Sequence, residues 1–231
     1  MLELGRRIHQ RLKEPLHSPA IEGALFSLFG LLLAFTFSGA VSRYDEHRRL
    51  IVQETDTIGT VRMYLRLLPP EAQPPLRQLL REYTASRLHL FDSVRPEISP
   101  DSLRLQSEIW RSAAAAATSP KAGPDVVKLL FPALNNMIGI TYTRQNAFNM
   151  HPPAPVYLLL FAFSGACAFT AGYGLRSNRP DWFYAVVLAF AVTLTVYATL
   201  EIEFPRRGLI RFTQLDQPFI NLDNAMNSVN R

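Results

Sequence analysis

Cysteine is almost absent. Cys167 stands alone, so neither an intramolecular disulfide nor a cysteine-based metal site can form. It lies in an apolar stretch, where it reads as a small core hydrophobe at a helix contact. The five histidines, at positions 9, 17, 47, 89 and 151, lack metal-ligand spacing. There is no Walker phosphate loop, GxGxxG, HExxH, GxSxG or CxxC, and no nucleophile sits beside a base. The expectation is a protein without cofactor or metal, and not an enzyme. Basic residues are spread along the chain rather than gathered in a run, so the net charge of +5 carries no nucleic-acid signature.

Charge is missing from three stretches, 23–41, 155–175 and 182–200. Each is close to the ~20 apolar residues that a bilayer-spanning helix needs. Lipid offers no partner for backbone N–H and C=O groups, so each must be helical. An apolar share of 48% and a charged share of 19% suit a chain divided between lipid and water. The segment at 23–41 is longer than the apolar core of a secretory signal peptide and continues into a helical pattern.

The expected fold is all-α, with three transmembrane helices and a long helical domain between the first and second. A basic N-terminal segment covers 1–19 and a first span 20–41. A helical cytoplasmic domain covers 42–153, spans follow at 154–175 and 182–203, and a cytoplasmic tail at 204–231. In the first span Gly23, Ser27, Gly30, Ala34 and Ser38 share one helical face. Small residues there permit close approach of another helix, while Leu25, Phe29, Leu32 and Leu33 on the other side suit lipid. Phe35 and Phe37 are candidates for a hydrophobic constriction.

Past the first span, Ile51, Ile58, Val61, Leu65 and Leu68 keep helical spacing, and Glu54 falls on that apolar stripe. A buried carboxylate needs a cationic or hydrogen-bonding partner. Arg62 and Arg66 are the nearest bases, most naturally from a neighbouring subunit, and Arg144 is the candidate from another helix. Asp45, Glu46, Glu54 and Asp56 are set among arginines 43, 48, 49 and 62, which favours a solvated charged helix over a metal site. A helix from Pro74-Pro75 runs through Leu76, Leu79, Leu80, Tyr83, Leu88 and Phe91, with Arg77, Arg81 and Arg87 outside. Ser99-Pro100-Asp101 is a helix start. A further helix over 125–150, irregular at Pro132, should present Val127, Leu130, Leu134, Met137 and Ile138, with Asn135, Asn136, Thr141, Tyr142 and Arg144 polar. Glu201 and Glu203 meet Arg206 and Arg207 as exposed or interfacial pairs. Phe219, Leu222 and Met226 mark a short amphipathic helix in the tail.

Three blocks resemble a family, the bestrophin-like domain of bacterial membrane proteins. The first runs through GLLLAFTFS at 30–38, SRYD at 42–45, RRL at 48–50, Glu54, IGT at 58–60 and RLLP at 66–69. The second is LNNMI at 134–138 with Arg144, and the third PRRGLIR at 205–211. The resemblance implies oligomers that conduct small anions, with a pore running through the membrane helices into a helical cytoplasmic part. It also implies four spans, two on each side of the long domain. The opening residues, Met1 to Arg7, look like the end of the missing first span and the loop after it; that span is either absent or lies upstream of this start. The four-span pattern and the distribution of arginines favour a cytoplasmic domain and C-terminus in a bacterial inner membrane. Two functional readings follow. The first is an oligomeric membrane-anchored helical scaffold or sensor; the alternative is an anion-channel-like homo-oligomer with its pore along the first span. Both expect the lipid bilayer and self-association as partners.

Overall fold

The computed structural model describes residues 18–89, 98–174, 182–203 and 217–228. These residues are helical apart from short connections, with no strand among them. Helix α1 spans Pro19–Tyr64 and passes into a 3-10 turn, Leu65–Leu67. Proline suits a first helical position because its missing N–H is unbonded there anyway. The Ser18 carbonyl accepts from the N–H groups of Ile21 and Glu22 at 3.1 and 3.2 Å. Leu68 then turns extended, with ψ 157°, because Pro69 bars the helical region to the residue before it. At 1.5 Å per residue α1 is about 70 Å long, roughly twice the hydrocarbon core of a bilayer.

Helix α2 is Gln73–His89, α3 Pro100–Ala117, α4 Asp125–Phe148, α5 Ala154–Gly174, α6 Trp182–Glu203 and α7 Gln217–Ser228. Ser99 caps α3 as expected: its hydroxyl accepts from the Ser102 N–H at 3.1 Å, with Pro100 in the first turn. Pro132 lies inside α4 without ending it, and its side chain faces outward. Two of the described helical segments are long and apolar enough to cross a membrane, Pro19–Leu67 and Ala154–Tyr173.

The chain divides into two compact units. One comprises the described residues of Met1–Tyr44 and His151–Leu209, the other those of Asp45–Met150 and Ile210–Arg231. In the first, the early part of α1 packs with α5 and α6 around buried Phe29, Leu160 and Cys167. Leu25, Phe26, Leu32, Leu33, Phe163, Val192 and Val196 surround that core. This corrects the expectation that Leu25, Phe29, Leu32 and Leu33 face lipid. They are the side of α1 that the chain itself covers, because large apolar side chains interlock with α5 and α6 where small ones would leave voids.

The second unit gathers the rest of α1 with α2, α3, α4 and α7. Ile58 and Val61 from α1 and Leu65 from the 3-10 turn are buried, as are Leu80 and Tyr83 from α2, Ile109 from α3, Leu130 and Leu134 from α4 and Phe219 from α7. The buried stripe of α4 is Val126, Leu130, Ala133, Leu134, Met137 and Ile140. It is offset from the predicted one: Val127 is exposed, because the buried stripe centres on Val126, Leu130 and Met137 and Val127 lies about 100° around the helix from Val126. The basic segment before Ser18, the turn around residues 92–97, the loop at 175–181 and the third family block at 205–211 lie outside the described residues, as does Arg206.

Candidate functional site: a buried glutamate held by two arginines

Glu54 is 0% exposed. Its neighbours on the α1 stripe are Ile51 and Ile58, so nothing on α1 itself can satisfy it. Two other helices do. Arg87 of α2 donates through Nε to Oε1 at 2.6 Å, and Arg144 of α4 donates through Nη1 to Oε2 at 2.5 Å. Each carboxylate oxygen therefore holds one guanidinium. Both arginines are buried too, at 3% and 7% exposure. The Arg144 guanidinium also lies over the Phe219 ring of α7, 5.7 Å from its centroid.

Burial by itself pushes the Glu54 carboxyl up. The charges of Arg144 and Arg87 and their hydrogen bonds outweigh it and hold the group below the ordinary carboxylate range. The cluster sets two guanidinium groups against one carboxylate. Burial depresses the Arg144 guanidinium, and the charge of Glu54 offsets that only in part. Arg87 Nη1 is buried with no hydrogen-bond partner among the described residues, a strained position for a polar atom.

A neutral network runs one helical turn away. Thr141 donates to the Met137 carbonyl at 3.0 Å. Its only hydroxyl proton is thereby used, so the Tyr83 hydroxyl is the donor in the 2.8 Å Tyr83–Thr141 bond. Gln106 of α3 then donates to the Tyr83 oxygen at 3.2 Å. Burial and the nearby Glu54 charge both raise the Tyr83 phenol above its usual value. Glu54, Arg87 and Arg144 thus tie α1, α2 and α4, while Tyr83, Gln106 and Thr141 tie α2, α3 and α4. Among the described residues no group of three or more acids, histidines or cysteines is arranged to hold a metal.

In the first unit, the α1 face bearing Gly23, Ser27, Gly30, Ala34 and Ser38 is exposed within the chain. A Cβ built on Gly23 or Gly30 would meet no atom within 4 Å. Phe35 and Phe37 are also exposed. Two residues apart on a helix means about 200° of rotation, so Phe37 lies beside the small-residue face and Phe35 does not. The Ser27 hydroxyl is bonded to the Gly23 carbonyl at 2.8 Å, and that of Thr36 to the Leu33 carbonyl at 2.9 Å. At the end of α6, Glu203 is buried and takes a bidentate contact from Arg43 of α1, with Nη2 to Oε2 at 2.6 Å. His151 Nδ1 stands 3.4 Å from its other oxygen. Gly39 leaves room for that arginine, since a Cβ there would lie 3.2 Å from Arg43 Nη1.

The profile of the Bestrophin-like domain matches residues 23–220. The chain belongs to the bestrophin-like family. Two solved structures with this fold are point variants of a bacterial bestrophin homologue from Klebsiella pneumoniae. Each is 15% identical and covers 98% of this chain. One has a TM-score of 0.77 over 94% of its own length, the other 0.78 over 93%. No curated protein matches the chain.

In this bestrophin-like chain, two of the sequence-based site assignments need correction. Glu54 finds its partners within its own chain. They are Arg144, which the sequence suggested, and Arg87, which was expected outside. The spacing of Leu76, Leu80, Tyr83 and Arg87 already placed Arg87 on the buried face of α2. In the same way Val126, Leu130, Met137, Thr141 and Arg144 keep one face of α4. Arg62 and Arg66 do not reach Glu54: Arg62 donates to the Ala225 carbonyl at 2.9 Å, and Arg66 is exposed. Glu203, expected in an exposed or interfacial pair, is buried and bound by Arg43; Arg206 and Arg207 lie outside the described residues.

Proposed function

We propose that this protein is a homo-oligomeric, channel-like membrane protein in which α1 faces the symmetry axis and small anions cross the bilayer along it. The observation that carries this reading is the uncovered small-residue face of α1, opposite the side that packs on α5 and α6. A face of glycine, serine and alanine gains little from lipid contact. It suits close contact with the same helix of other subunits, or the wall of a narrow path. Phe37, exposed beside that face, supplies a hydrophobic constriction. Membership of the bestrophin-like family supports the same reading.

In this proposal α6 is a third span, because 182–200 has no charge. The second unit lies in the cytoplasm and the membrane is the bacterial inner membrane. The Glu54, Arg87 and Arg144 cluster then serves as a rigid joint of the cytoplasmic unit. One observation favours a scaffold or sensor without conduction: the hydroxyls of Ser27 and Thr36 are bonded to their own backbone. The test is purification in detergent, measurement of oligomer mass, and anion flux from liposomes on the same sample. Flux from a defined oligomer supports the channel. A defined oligomer without flux leaves the scaffold.

A further inference from the structure

Most charged side chains in the second unit pair off. Arg49 binds Glu46, Arg104 binds Glu108, and Lys121 binds Glu71. Six arginines form no ion pair among the described residues, Arg48, Arg62, Arg66, Arg77, Arg81 and Arg111, and four of them, Arg62, Arg66, Arg77 and Arg81, lie around the junction of α1 and α2. Their recorded acceptors are neutral. Arg62 uses the Ala225 carbonyl, Arg77 the Gln73 Oε1 at 2.7 Å, and Arg81 the Gln78 Oε1 at 3.2 Å. Within each helix the members are four apart and share a face. Gln73 joins the two pairs. Its Nε2 donates to the carbonyls of Arg66 and Leu68, at 3.2 and 2.8 Å, while its Oε1 receives Arg77. The charges overlap: burial, and then the positive fields of Arg66, Arg77 and Arg81, push the Arg62 guanidinium below its ordinary value.

Like charges gathered this way oppose folding unless an anion joins them. We propose that Arg62, Arg66, Arg77 and Arg81 form a binding site for a small, multiply charged phosphate-class anion. Planar guanidinium forks match phosphate oxygens in pairs. Four such groups call for several negative charges rather than one, so chloride alone does not fill the site. Among the described residues no aromatic ring packs against these four groups, and the cation–ring contact belongs to Arg144. The site therefore reads phosphates and not a base. Two sources carry this chemistry, a free polyphosphate and a phosphorylated lipid headgroup. The four arginines lie well past the charge-free stretch 23–41 in the sequence, which favours the free solute.

The test uses the full chain in detergent and inorganic tripolyphosphate, followed by calorimetry and thermal unfolding near physiological salt. The expected result is saturable binding that weakens as salt rises. The Arg66→Gln/Arg81→Gln variant should bind about tenfold or more weakly. Without ligand it should unfold at the same temperature as the parent or higher, since repulsion is relieved. Arg104→Gln removes an exposed charge elsewhere and should bind normally. Three results would overturn the assignment: no tripolyphosphate binding by the parent chain, equal loss in Arg104→Gln, or a short-chain phosphatidic acid outcompeting tripolyphosphate at equal concentration.

Discussion

At Glu54 two large effects oppose each other. Burying a carboxylate costs several kcal/mol per ion, and two arginines are buried with it. Attraction wins here because each oxygen has its own guanidinium at 2.5–2.6 Å. Removing the carboxylate takes from both buried guanidiniums the charge that binds them, and breaking a buried pair typically costs about 3–5 kcal/mol. Glu54→Gln should therefore lower the melting temperature. Glu54→Ala should lower it further, because it adds a cavity. The pH dependence follows from the sign of the shift. The folded carboxyl sits below its unfolded value of about 4.3. Its contribution is thus complete above that pH and disappears as pH falls through the folded value. The gap in stability between the parent and Glu54→Gln should be flat from pH 5 to 8 and close in stronger acid. Denaturation curves across that range check this. Unchanged stability in Glu54→Gln with altered ion flux would instead make Glu54 part of a transport path.

Helix α1 has two unlike sides, and each admits a substitution that tests it. Gly30 has open space around a built Cβ, so Gly30→Leu should leave the packing within one chain intact and disturb assembly. Leu32 packs against the Phe29 core, and Leu32→Ile should preserve assembly at a small cost in stability, under about 1.5 kcal/mol. Size-exclusion profiles and melting temperatures separate the two. Equal tolerance of both changes would count against a helix contact on the small-residue side. The helices themselves were legible from periodicity, proline placement and the Ser99 cap, and so was the burial of Glu54. Its second partner was missed because an arginine was assigned to solvent on chemical type, although its spacing from Tyr83 placed it inside. The lipid-facing side of α1 was misassigned for a different reason. Within a bilayer, hydrophobicity does not distinguish a lipid contact from a helix contact, so only three-dimensional packing could show which side α5 and α6 cover.

For the whole molecule, the proposed topology puts residues 42–153 in the cytoplasm. A reporter active only in the periplasm, inserted after Ala117, should stay silent, and a signal there would reverse the orientation. Conduction is the central claim, and planar-bilayer recording of the purified oligomer under a potassium chloride gradient tests it most directly. The account predicts a current that reverses near the chloride equilibrium potential and is lost in Gly30→Leu. Silent bilayers containing oligomer of verified mass, or a current that reverses at the potassium potential, would contradict it.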